Sequence, residues 1–363
     1  MSLHVWSLPG PLSFVQGVVR DLRDGVNVVL ALPARGPEGL GPEVRTGVGE
    51  VWGWCPLLAT PEVSPAQQIL TRLGPPRSGV YPSPRTLAAD ERLAGRMVWV
   101  QGVDAHQWPI WRDFVQEYAH ACQARPPHLR LPVVVCLQGL PFTALPETDV
   151  CLGIHRWENV VGALDMLLYC AHRVGHTQGP EGQLLVAVAA GLALWDPALA
   201  DVLCCLPAAE VLRPEGCLKD FAAVQGWTSD RAPSWEEGTE QLCEDRRLEH
   251  SALLALRGAP ELRERIWAAQ TGVLLPLVER RRQEVVHRVR HLLSLPYQTR
   301  FGIITDPYDL EVHDLCHQLR GRASRPLRDL VERLRRVRNA LAHQEAVGPE
   351  DALAAEIYRE VAG

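Results

Sequence analysis

The chain has 363 residues, a net charge of −6, 47% hydrophobic residues and 22% charged residues. That length allows two or three domains with sizeable cores, and the composition is that of an ordinary globular protein. No run of 18 apolar residues exists, which excludes a membrane-spanning helix. Met1-Ser-Leu-His-Val-Trp6 has no basic region followed by an apolar core, so no secretory signal is expected and the reading is cytoplasmic. The ten cysteines form no Cys-x-x-Cys pair and read as reduced core thiols, with neither a disulfide framework nor a metal site expected.

In chain order, Leu12 to Asp24 carries helical periodicity. Gly25 to Pro33 is a continuous β-branched and apolar run closed by proline, as in a strand buried on both faces. Gly36 to Pro84 is dense in Gly and Pro and reads as an irregular insertion. Arg96 to Gly102 and Leu131 to Gly139 repeat the buried-strand pattern, and Val150 to Ile154 is a shorter candidate. Between them, Trp108 to Gln123 sets Trp111, Phe114, Val115, Tyr118 and Ala119 at helical spacing. Strands alternating with helices predict a three-layer α/β domain over 1–165 with a mainly parallel sheet.

From Glu158 onward strand signals vanish. Val160–Ala171, Gln183–Leu194, Pro197–Leu206 and His250–Leu256 read as helices, and Gly226–Gly238 as a loop, giving a helical middle region over 166–266. Thr271–Leu293, Asp309–Arg320, Pro326–Ala342 and Glu350–Val361 are amphipathic and predict a four-helix bundle over 267–363. Charge is unevenly spread. Arg246 to His343 carries about +8, so the remainder carries about −14, and a basic C-terminal third suits an anionic partner.

The order helix, Val26–Leu32 strand, Met97–Val100 strand ending at Asp104, and Val133–Leu137 strand ending at Gln138 resembles the P-loop ATPases of the STAND group. Leu8 to Gly17 is expected at the place of the phosphate loop, whose G-x-x-x-x-G-K-[S/T] pattern supplies a lysine to the phosphates and a hydroxyl to magnesium. The chain has one lysine, Lys219, far from any such turn. The resemblance therefore implies a degenerate domain that hydrolyses no ATP, holds no cofactor and serves for contacts. Asp104 reads as a strand-end polar residue or helix cap.

In the last long helix, Leu327, Leu330, Val331, Leu334, Val337 and Leu341 form the core stripe. At about 100° per residue, Arg338 falls about 40° from Leu334, and Arg338 and His343 lie about 140° apart. Asn339 and His343, four apart, are neighbours. The run Arg338-Asn-Ala-Leu-Ala-His343 resembles the motif of HEPN domains, helical bundles many of which cut RNA without a metal. The resemblance implies that His343 moves protons, Arg338 neutralises the phosphate and Asn339 supports them, in a cleft formed when two bundles meet as a homodimer or heterodimer. An imidazole titrates near neutrality and a guanidinium grips phosphate with a fork of donors, which suits those roles. Arg280, Arg281, Arg282, Arg335 and Arg336 would then flank the cleft and bind RNA. Together the two resemblances imply an effector of a bacterial conflict or antiphage system, docked to a protein partner. The alternative is an adaptor that cuts nothing, in which Arg338 is satisfied within its own subunit by an acid such as Glu311 or Asp314. His287/His291 and His313/His317 have ligand spacing, but no third ligand is evident.

Overall fold

The computed structural model describes residues 4–50, 52–74, 81–175, 179–243, 245–300 and 302–359. Parts of the predicted insertion and the end of the predicted helix to Val361 lie outside them. The chain separates into two units, 1–162 with 232–250, and 163–231 with 251–363.

The first unit is α/β. It comprises α1 (Pro9–Arg23), β1 (Asn27–Leu32), α2 (Leu40–Val48), β2 (Gly53–Leu58), α3 (Pro65–Leu73), α4 (Pro84–Ala88), β3 (Arg96–Val103), α5 (Trp108–Cys122), β4 (Val133–Gln138) and β5 (Leu152–Arg156). The five strands pair in parallel in the order β2-β3-β4-β1-β5. The inner strand β1, between β4 and β5, is buried at all six positions, as its unbroken apolar run requires. Val29, Val98, Val100, Val133 and Val135 meet α3 and α5 on one face. On the other, α1 approaches β5, where Asp21 Oδ2 lies 2.8 Å from His155 Nε2, and α2 approaches β3 beneath Trp99. Asn27, buried in β1, donates to the Cys151 carbonyl at 3.0 Å and accepts from Val133 N at 3.0 Å, tying the strand to both neighbours.

The predicted insertion is regular where it is described: it contains α2, β2 and α3 and ends as α4 begins. β2 was hidden because Gly-Trp-Cys-Pro-Leu-Leu carries Gly and Pro, which an edge strand tolerates. Pro56 offers no N–H to the open edge, and Arg72 Nε donates to its carbonyl at 3.1 Å, so this edge is blunted against strand addition.

Strands also recur past Glu158. β6 (Glu240–Cys243) and β7 (Arg246–Glu249) form an antiparallel hairpin belonging to the first unit. They are four residues each and mostly charged or polar, with no apolar run to announce them. Just before them, buried Trp235 packs on Phe142 with ring centroids 4.2 Å apart, and Glu236 O accepts from Ala34 N at 2.7 Å.

The second unit is helical: α6 (Ala163–Val174), α7 (Pro180–Ala193), α8 (Pro197–Cys204), α9 (Ala208–Val211), α10 (Glu215–Val224), α11 (Ser251–Arg257), α12 (Pro260–Val289), α13 (Val312–Gln318), α14 (Arg325–Ala342), α15 (Pro349–Ala352) and α16 (Ala355–Tyr358), with a small hairpin of β8 (Tyr297–Thr299) and β9 (Gly302–Ile304). α12 runs for 30 residues, about 45 Å, and packs on both α7 and α14. The predicted Glu350 helix is two single turns, α15 and α16. No described helix is long and apolar enough to cross a membrane.

Candidate functional site

α14 buries Leu330, Val331, Leu334, Val337 and Leu341 of the stripe expected from spacing, with Leu327 in the first turn only half-buried, and leaves its basic residues on the flanks. Ser324 precedes it and Pro326 stands in its first turn. Its C-terminus falls on the motif. His343 is the C-cap, Gln344 has φ 60°, Gln344 N donates to Leu341 O at 3.2 Å and Glu345 N to Ala340 O at 2.9 Å. This is a Schellman ending with a non-glycine residue in the left-handed position. α12 fixes it from the side: Trp267 Nε1 donates to Leu341 O at 2.8 Å, while Gln270 clamps Val347 through both its amide atoms. The motif therefore has a structural account that owes nothing to chemistry.

Arg338 lies on the flank of the stripe and is half exposed. Its Nη2 donates to Glu311 Oε2 at 3.3 Å, with the side chains 44% and 63% exposed, so the pair is worth only about 0.2–1 kcal/mol. Glu311 is placed there by the turn before α13. Arg282 donates to the carbonyls of Tyr308 (2.6 Å) and Leu310 (2.8 Å), and Asp314 Oδ2 accepts from Glu311 N at 3.1 Å. His343 is exposed and, among the described residues, its imidazole makes no hydrogen bond; Asn339 is half-buried and does not reach it. The structure thus leaves Arg338 and His343 on different flanks of one helix end, as the helical arithmetic requires.

The predicted RNA-binding arginines divide. Arg281 is buried, donating to Ile357 O at 2.9 Å and Tyr358 O at 2.8 Å and pairing with Glu284, so it is a structural cation holding α16. Arg282 is committed to Glu279 and the two carbonyls above, and the Glu279 carboxyl is held below its usual range by that guanidinium. Arg335 forks onto Glu332, lowering its carboxyl, and Arg336 forks onto Asp351 at 3.0 and 2.7 Å, lowering that one. Arg280 is exposed and, among the described residues, has no carboxylate partner. The histidine pairs go to separate tyrosines: His287 Nδ1 is 3.4 Å from Tyr308 Oη, and His317 Nδ1 3.5 Å from Tyr297 Oη. No cluster of three or more His, Cys, Asp or Glu is gathered for a metal among the described residues.

A second cluster lies at the carboxyl ends of β1, β3 and β4, where ligands of open α/β sheets bind. Leu8–Gly17 does not hold the place of a phosphate loop: it leads into and through the first turns of α1, ahead of β1, whereas that loop joins the end of a strand to the next helix. The segment in the right place is Ala34-Arg-Gly-Pro-Glu-Gly-Leu-Gly41, between β1 and α2. Of the phosphate-loop pattern it keeps only Gly39: Ala34 stands at the first glycine, Leu40 where the lysine would be and Gly41 where the hydroxyl would. Its position directly after the β1 run is the one sequence feature that marks it. Two indoles crowd the loop from either side, and a cavity of about 240 Å³ remains between it, Trp99, Gln101 and Gln138. A Cβ on Gly41 would lie 3.3 Å from the Trp99 ring, and one on Gly39 (φ 83°) 3.1 Å from Trp6 Nε1, which donates to Glu38 O at 3.1 Å. Pro42 and Glu43 in the first turn of α2 remove an N–H and add a negative charge, so an anion is unwelcome there. Asp104, at the end of β3, accepts from His106 N (2.9 Å) and Gln107 N (2.8 Å) and starts α5.

No protein-family model matches this chain, and a search of curated proteins finds no match either.

Proposed function

We propose that the chain is a non-catalytic adaptor, in which the helical unit offers an interaction surface and the α/β unit is a nucleotide-type scaffold without its phosphate machinery. The observation that carries this reading is the Arg338–Glu311 pair together with the Schellman ending at His343. Arg338 already has a carboxylate from its own chain, and its partner histidine serves as a helix cap. Four of the five flanking arginines are likewise occupied within the chain. The α/β unit supports the same reading through Leu40 and Gly41 in the loop after β1 and through the indoles packed there.

A second reading is the metal-independent endoribonuclease of the HEPN resemblance, in an antiphage effector whose site forms between two bundles. One observation favours it: Arg338 and His343 are both solvent-accessible, and an exposed ion pair costs little to break when a phosphate arrives. The experiment is to incubate the protein and its Arg338→Ala and His343→Ala variants with mixed RNA in EDTA. The adaptor reading expects no cleavage by wild type above that of the variants. Cleavage by wild type that both variants lose overturns it in favour of the ribonuclease.

A further inference from the structure

Beside the phosphate-loop remnant, a cleft of about 780 Å³ opens between α2 and the β2–β3 edge of the sheet. It exists because α2 is short. The helix ends at Gly49 (φ 87°), so among the described residues no helix covers the outer part of this sheet face, which carries Trp54, Pro56, Trp99 and Gln101. The volume lies within the range of small-molecule pockets. Its floor is aromatic. Trp99 is 3% exposed and lies at the base, and Trp54 stacks on it with centroids 5.1 Å apart and planes at 28°. Trp54 and Trp52 are half-buried and turn ring surface toward the cleft. A half-buried indole that lines a cleft beside an indole already stacked is a platform for another flat ring.

The rim supplies hydrogen bonds. Arg45 on α2 and Glu50 just beyond it both line the cleft and are exposed, and neither is in an ion pair among the described residues. Gln101 adds an amide. A guanidinium fork donates to paired acceptors such as O6 and N7 of guanine, and a carboxylate accepts from paired N–H donors such as its N1–H and N2–H₂. Adenine lacks the O6 acceptor and the N2 donor. A phosphate would gain nothing from the neighbouring loop, with Leu40, Pro42 and Glu43 at the start of α2.

We infer that this cleft binds a guanine-type base by stacking on Trp54, with Arg45 and Glu50 on its two edges. The site belongs wholly to the α/β unit and stands whether or not the helical unit cuts RNA. The test is calorimetry on the full chain with guanosine, adenosine, cytidine and magnesium GTP, with near-ultraviolet circular dichroism confirming that each variant is folded. Guanosine binds saturably at sub-millimolar concentration and more tightly than adenosine or cytidine, and magnesium GTP binds no more tightly than guanosine. Trp54→Ala weakens guanosine about tenfold or more, Trp54→Phe retains it, and Glu50→Gln and Arg45→Gln each erase the preference over adenosine. No saturable guanosine binding, equal binding of adenosine, insensitivity to all these variants, or much tighter binding of magnesium GTP would each overturn the assignment.

Discussion

The clamp made by Gln270 gives the sharpest test of how the end of α14 is held. Its side chain is fully buried on α12, donating to Val347 O at 3.0 Å and accepting from Val347 N at 2.6 Å. Gln270→Ala strands a peptide N–H and a peptide C=O in the core at about 1–3 kcal/mol each. Partial collapse and water entry offset some of this, so the expected loss is about 2–4 kcal/mol. Gln270→Glu keeps the acceptor but sets a carboxylate against the Val347 carbonyl. Its neutral form would restore both bonds, so that variant should regain stability as pH falls, opposite to wild type. Urea unfolding followed by circular dichroism, with the midpoint of the helical unit read at constant slope, measures the loss. Hydrogen exchange at Val347 N–H should accelerate in step. A loss below about 0.5 kcal/mol, with exchange at Val347 unchanged, would refute the clamp.

Two further outcomes follow. Asp351 receives Arg336 and Arg333, which hold its carboxyl below the usual value of about 3.9, so its contribution is full above that value and is lost as pH falls through the lower folded value; melting temperature should therefore drop below about pH 4, and Asp351→Asn should flatten part of that drop, whereas an unchanged acid limb would exclude the linkage. Magnesium ATP should give no micromolar binding heat with the full chain, because the loop after β1 has no lysine or hydroxyl at Leu40 and Gly41, where a phosphate loop would need them; micromolar affinity would contradict this.

Much of the α/β unit was legible because strands buried on both faces must be continuously apolar. Val28–Leu32, Met97–Val100 and Val133–Leu137 are so nearly unambiguous that their positions followed directly. β2 escaped because an edge strand faces fewer demands and can carry Gly53 and Pro56. The hairpin of β6 and β7 escaped because its pairing is local and mostly charged. In the helical unit the α14 stripe was readable apart from half-buried Leu327, and Glu311 was a candidate partner for Arg338, but spacing alone could not decide whether that arginine is paired or open. Helical spacing locates Arg338 on a flank, yet only the turn built by Arg282 brings Glu311 to it from 27 residues away. Arg281 shows the limit most clearly: in sequence it is one of three consecutive arginines, and only the return of Ile357 and Tyr358 makes it a buried cation.

The path of the chain between its two units has a practical consequence. Residues 163–231 leave the α/β unit, residues 232–250 return to it with Trp235 and the β6–β7 hairpin, and the chain then departs again. No single peptide bond therefore divides the protein into two complete parts. A fragment ending at residue 162 lacks its hairpin, and one beginning at 251 lacks α6 to α10. Expressing either unit alone requires excision and rejoining, and a protease that nicks the crossing at Gly162 leaves a 163–363 piece that still holds the hairpin the α/β piece needs.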